Sequence, residues 1–268
     1  MLSGNGEANP IGRIRDVKIL NAVLESSEAA GFPDFSNDGQ YLKFLHIDSV
    51  IRHIGSREDD YINAFTARML MLLEAKYLYN EGQFNEFRMR IIRVYFSDFH
   101  RHSQNFKPIF LINDVLRFWR TLCINYENSR HWRGIAIEEN RAKGHLDNLK
   151  LKFSRLSICY SFICHLLHQG KALNAESAIS TAALTPFERF SEIAEKSGDL
   201  REIVVRMRAE YEWFLDAVSR PKQETLDWID DRENRDFAFE KASKFIDLVG
   251  TLTKNVADKN DYTRYLIV

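Results

Sequence analysis

The chain has 268 residues, 45% of them apolar and 28% charged. That is a globular composition on a length that suits one large or two small domains, and it excludes a peptide effector and a disordered tail. Lys and Arg total 37 against 38 Asp and Glu, a net charge of -1, which excludes the whole-chain basicity of a histone-like coat but not a local basic patch.

The first ten residues are Gly- and Asn-rich and lack a basic start followed by an apolar core, so they do not read as a signal peptide. Residues 13–30 read as a helix stopped by Gly31 and Pro33, and Asn37-Asp38-Gly39 as a turn. Tyr41 to Ile47 is the one strand candidate, with Tyr41, Lys43 and Leu45 alternating against Leu42, Phe44 and His46. A single strand makes no sheet, so it needs further short strands or a partner's edge.

Helical periodicity dominates the rest, and only five prolines interrupt it. Residues 57–75 put Ile62, Phe65, Met69, Leu72 and Leu73 on one face. Residues 81–99 repeat the pattern with Phe84, Phe87, Ile91, Tyr95 and Phe99. Pro108 opens a helix to about Glu127, and residues 145–168 carry Leu149, Phe153, Leu156, Tyr160, Ile163 and Leu167 in one stripe. Further helices are expected at 185–197, 199–219 and 233–256, with Tyr262 to Val268 extended as an edge strand or tail. The expected fold is therefore mostly α: a small α+β segment over residues 1–55, then a helical bundle over 56–268.

The longest apolar run, Ile158 to Leu167, is broken by Ser161 and His165. It falls far short of the roughly 20 residues that span a bilayer, so no membrane partner is expected. Cys123, Cys159 and Cys164 are odd in number, form no Cys-x-x-Cys and lie in apolar runs. Buried, reduced thiols and a cytoplasmic location follow.

One segment carries a chemical signal. Over residues 107–127, at about 100° per residue, Leu111, Ile112, Val115, Leu116, Phe118, Trp119, Leu122, Cys123 and Tyr126 fill one arc. Asn113, Arg117, Arg120 and Glu127 fall opposite, with Asp114 beside them. Two arginines one turn apart suit a phosphate, because guanidinium matches its oxygens bidentately. Lys152 and Arg155 on the following helix would complete a cationic cleft across from Asn113, Asp114, Arg117 and Arg120. The same charges also read as an internal ion-pair network of a structural, protein-interaction module.

The stretches FTARMLMLLEAKYLYNE (65–81), FKPIFLINDVLRFWRTLCINYE (106–127) and LDNLKLKFSRL (146–156) resemble bacterial nucleotidyltransferase-domain proteins of the polymerase-β-like superfamily. The resemblance implies that residues 1–55 correspond to the end of the nucleotidyltransferase domain and the rest to its helical domain. It also implies Mg²⁺ with a nucleoside triphosphate as cofactor and substrate, held by a Gly-Ser turn and an Asp-x-Asp strand. This chain departs there: no two aspartates are spaced i, i+2, and Glu58-x-Asp60 and Asp231-x-Glu233 lack the Gly-Ser context. The expected function is thus nucleotide or phosphate recognition without stand-alone catalysis. Nucleotide or RNA is the expected ligand, with a homodimer or a partner supplying the catalytic domain.

Arg93 and His100 have the Arg-to-His spacing of HEPN-type ribonucleases, a rival reading in which both serve cleavage at a ribose 2′-hydroxyl. His100 with His102, and Cys164 with His165 and His168, are the remaining metal-type groupings, and neither has a recognisable complete ligand set, so no metal site is expected. The acidic run from Asp227 to Glu233 reads as a solvated face or a helix start. There is no P-loop, no Rossmann glycine fingerprint and no Gly-x-Ser-x-Gly elbow.

Overall fold

The computed structural model describes residues 2–3, 10–32, 35, 44–102, 106–133 and 139–266. The protein is a mostly α helical bundle. It divides into two compact units, residues 1–68 and 69–268. No described helix is long and apolar enough to cross a membrane.

In the first unit, strand β1 (Leu2–Ser3) pairs in parallel with β2 (Leu45–His46), Leu2 opposite Leu45 and Ser3 opposite His46. The strand expected at 41–47 thus shrinks to two described residues, and its partner is the start of the chain. Residues 36–43, including the expected Asn37-Asp38-Gly39 turn, lie outside the described residues. Helix α1 (Pro10–Ala29) ends at Gly31, whose φ of +70° suits a residue without a Cβ. The Phe32 N–H returns to the Ser27 carbonyl at 3.0 Å, which closes the helix end in a Schellman-type turn.

The single helix expected over 57–75 is two: α3 (Glu58–Tyr61) and α4 (Ala64–Leu73), with α2 (Ile47–Arg52) before them. The break falls at Asn63, whose φ of +58° is left-handed and cannot continue a right-handed helix. Arg68, fully buried, anchors α3 onto α4 through a bidentate pair with buried Asp59, at 2.9 and 2.6 Å, and reaches the Val50 carbonyl at 3.4 Å.

The second unit takes in α5 (Glu81–Tyr95), α6 (Phe99–His102), α7 (Ile109–Arg133) and α8 (Glu139–Lys150). A π-helical stretch, Leu151–Arg155, leads directly into α9 (Leu156–Gln169). Then follow α10 (Ala175–Ala183), α11 (Pro186–Lys196), α12 (Arg201–Val218), α13 (Lys222–Asp230), α14 (Arg232–Lys259) and α15 (Thr263–Leu266). Helix α9 is the axis, buried at ten of its fourteen residues and packed by α7, α11 and α14. Phe153 stands at the core centre, stacked on Phe214 at 4.7 Å and 8° and on Phe245 at 4.9 Å and 27°.

Two helices of nine residues each escape the periodicity. Helix α10 is short and Ala-rich, yet Asn174 and Ser177 cap it reciprocally. Thr185 and Glu188 do the same for α11, with Pro186 at its first position. The other, α13, overlaps the acidic run expected as a solvated face or helix start. Within that run Asp231 accepts the Asn234 N–H at 2.9 Å, so it starts α14.

The extended C-terminus expected from Tyr262 is corrected: residues 263–266 are helical. Tyr262 is 2% exposed and holds that turn, and the Lys107 ammonium lies 4.3 Å from its ring centre. Lys107 also donates to the carbonyls of Asn260 and Asp261. Gly170 sits at φ +53°, a backbone conformation that favours glycine, and a Cβ there would meet the Asn260 side chain.

Candidate functional site

Helix α7 buries Leu111, Ile112, Val115 and Phe118, so its apolar arc behaves as its spacing predicts. The polar residues do not stay together. Asp114 is 5% exposed and accepts a 2.5 Å hydrogen bond from the Tyr95 hydroxyl. Asn113 is half-buried, and its side-chain oxygen has no hydrogen-bond partner. Arg117 is half-buried and Arg120 exposed, and both are engaged by neighbours. Lys152 lies over the Phe239 ring at 4.8 Å, and Arg155 pairs with Glu74. Of the six residues expected at one phosphate cleft, Asp114 thus serves the core, Lys152 meets α14 and Arg155 meets Glu74.

A cleft does lie between these two helices, about 280 Å³ in volume. From α7 it is lined by Leu122, Asn125, Tyr126 and Ser129, and from the facing helix by Asp147, Lys150, Leu151 and Arg155. Of the expected site only Arg155 reaches it. The missed signal was the i, i+3, i+4, i+7 spacing of Leu122, Asn125, Tyr126 and Ser129, a mixed polar stripe further along α7. Lys150 and Arg155 bracket the π segment, which keeps Phe153 wholly buried between them. π turns inside long helices recur at functional sites. Tyr126 is held by the Asn148 side chain, and burial raises its phenol above the usual value, ahead of the charges of Arg130, Glu127 and Asp147.

Arg93 is exposed on α5, and His100 is exposed on α6, edge-on to Phe99 at 6.1 Å. The cysteine and histidine grouping on α9 is a packing device. Cys164 is fully buried, its sulfur 3.2 Å from the Thr253 hydroxyl, and burial pushes its thiol up to about 12. Cys159 is likewise buried and its thiol raised. His165, 4% exposed, meets the Thr181 hydroxyl at 2.9 Å through Nδ1 and Glu192 at 3.2 Å through Nε2. His168 Nε2 turns away to the Ser197 hydroxyl at 2.9 Å.

Burial lowers both imidazoles, for His165 against the opposing pull of Glu192 and for His168 with help from Lys196 and Lys259. Both are neutral in the folded protein near neutrality, whereas in the unfolded chain they gain protons as pH falls through about 6.5. The unfolded state then binds more protons, so stability present above pH ~6.5 is lost on acidification below it. Urea midpoints at pH 7.5, 6.5 and 5.5 are expected to fall in that order. His165→Gln is expected to flatten the slope, and an equal slope in the variant would rule His165 out as its source.

Among the described residues no three His, Cys, Asp or Glu side chains converge. Of the two acidic pairs, Glu58 and Asp60 are exposed around the buried Asp59, and Asp231 is spent on capping α14. Among the described residues, these pairs do not fit the divalent cation that the resemblance implies. Comparison with family models, with curated proteins and with solved structures gives no match.

Proposed function

We propose that the second unit recognises phosphate groups, those of a nucleotide foremost, in the cleft between α7 and the α8–π helix. In this reading the chain is the binding part of a nucleotidyltransferase-like assembly whose catalytic carboxylates come from a partner. The observation that carries it is the placement of Lys150 just before the π segment and Arg155 at its last residue, both lining the cleft with Asn125, Ser129 and Tyr126. Lys150 is exposed, a point charge open to an anion. Arg155 shares its fork with Glu74, so a ligand meets its remaining N–H groups.

The test is thermal unfolding of the full chain with nucleoside triphosphates, with and without Mg²⁺. A ligand at 100 times its Kd is expected to stabilise by about 2.7 kcal/mol. Lys150→Glu is expected to abolish that gain while leaving the ligand-free melting temperature unchanged. No gain with any triphosphate overturns the reading. A gain that survives Lys150→Glu but disappears in Arg117→Ala/Arg120→Ala moves the site off the cleft.

A further inference from the structure

The cleft between α7 and the α8–π helix has two unlike ends. Helix α7 packs against α8, the π segment and α9, and the short connection 134–138 turns the chain between the two walls. Helices joined this way run antiparallel. The lining residues therefore meet in reverse order: Ser129 lies at the Asp147 end and Leu122 at the Arg155 end, with Tyr126 and Lys150 between. Asp147 and Arg155 are about 12 Å apart along their helix, at about 1.5 Å per residue.

Asp147 is the single carboxylate of the lining. It repels a phosphate, so the anionic part of a ligand belongs toward Lys150 and Arg155. A carboxylate attracts hydroxyl hydrogens instead, and hydrogen bonds to a charged acceptor are the strong ones. Asp147 is half-buried and engaged by a neighbour, which orients it. The two oxygens of a carboxylate offer about four acceptor positions, which leaves capacity beyond that engagement. The Ser129 hydroxyl, also half-buried, adds a donor and an acceptor at the same end. Leu122, Leu151 and the Tyr126 ring supply apolar surface between the ends, on which the carbon face of a sugar packs.

Resting on the phosphate reading above, we infer that Asp147, assisted by Ser129, accepts the vicinal 2′- and 3′-hydroxyls of a ribose. The cleft then takes a 5′-ribonucleotide lengthwise, sugar at Asp147 and phosphates at Lys150 and Arg155. A carboxylate serves the ribose 2′-hydroxyl in dinucleotide sites for the same physical reason. Asp147 is thus the residue that selects ribose over deoxyribose. A bare polyphosphate lacks the hydroxyls, sets charge against Asp147, and is the weaker ligand.

The test titrates the full chain with ATP, 2′-deoxy-ATP and inorganic triphosphate at equal Mg²⁺, and takes each apparent Kd from the rise in melting temperature. Wild type is expected to bind ATP about tenfold more tightly than 2′-deoxy-ATP, the low end for a hydrogen bond to a charged group, as suits an open cleft. Asp147→Ala is expected to bring that ratio close to one and to tighten inorganic triphosphate, because the repelling charge is gone. Asp147→Asn keeps the shape and one acceptor oxygen. It is expected to retain a reduced ratio, and it serves should the alanine variant fail to fold. No stabilisation by any of the three ligands overturns the phosphate reading and this inference with it. Equal stabilisation by ATP and 2′-deoxy-ATP leaves the phosphate reading standing and overturns the ribose assignment. A ratio that both variants leave at the wild-type value overturns the role of Asp147.

Discussion

Asp59→Ala is expected to destabilise the first unit by about 3–5 kcal/mol, because it removes the bidentate carboxylate that the buried Arg68 guanidinium pairs with. Both side chains are essentially inaccessible, at 0 and 1% exposure. The gain from the pair itself is smaller than the cost of breaking it, since two charges first had to leave water. Asp59→Leu combined with Arg68→Met is therefore expected to recover most of the loss. The tryptophans, Trp119, Trp132, Trp213 and Trp228, all lie beyond residue 68, so their fluorescence reports the other unit. Amide hydrogen exchange around Val50 and α4 is the appropriate readout. A loss below about 1 kcal/mol would show that Arg68 finds water or another acceptor and that the pair does not organise this unit.

Phe153→Ala is expected to cost the second unit about 3–5 kcal/mol, the range for removing a fully buried aromatic side chain. Its ring is sandwiched by Phe214 and Phe245, with Tyr211 at 6.4 Å and Trp213 at 6.2 Å. The loss combines the transfer of the ring with the cavity it leaves, and the packing geometry adds its own share. Phe153→Leu refills much of the volume and is expected to cost less than half as much. Trp213 lies close enough to report the change, so urea unfolding followed by tryptophan fluorescence measures it. Equal costs for Ala and Leu would mean that the π turn collapses in both, and that backbone geometry rather than volume sets the energy. Because Phe153 sits between Lys150 and Arg155 in sequence, Phe153→Ala is also expected to weaken any ligand held by the cleft.

The helical stripes were readable because burial repeats at the helical period. Leu149, Phe153, Leu156 and Ile163 are all buried, as one face of one helix requires. Helices α10 and α13 were not readable by that means. Helix α10 is nine residues of mostly small side chains, and its evidence is a cap rather than a period. The break at Asn63 and the turn after Tyr262 were hidden for a related reason: each depends on one residue's backbone angle or anchor, not on a pattern.

The candidate site divides the same way. The two helices that flank the cleft were legible, and so was Arg155 as a residue facing between them. Asn113, Asp114, Arg117 and Arg120 share a helical face, but a face at one end of a 25-residue helix meets different neighbours from a face at the other. Tyr95 claims Asp114 from α5, and nothing in the spacing of α7 encodes that contact.

By itself the sequence determined the class of fold, the positions of the long helices and the lack of a paired Asp-x-Asp. Those follow from local periodicity and composition, which a chain carries without reference to its fold. Only the tertiary structure decided which charges are paired and which face a cleft. A guanidinium looks the same in sequence beside a carboxylate, as Arg68 is, or beside a carbonyl, as Arg189 is. The difference is made by residues distant along the chain, and by the low dielectric that burial places around them.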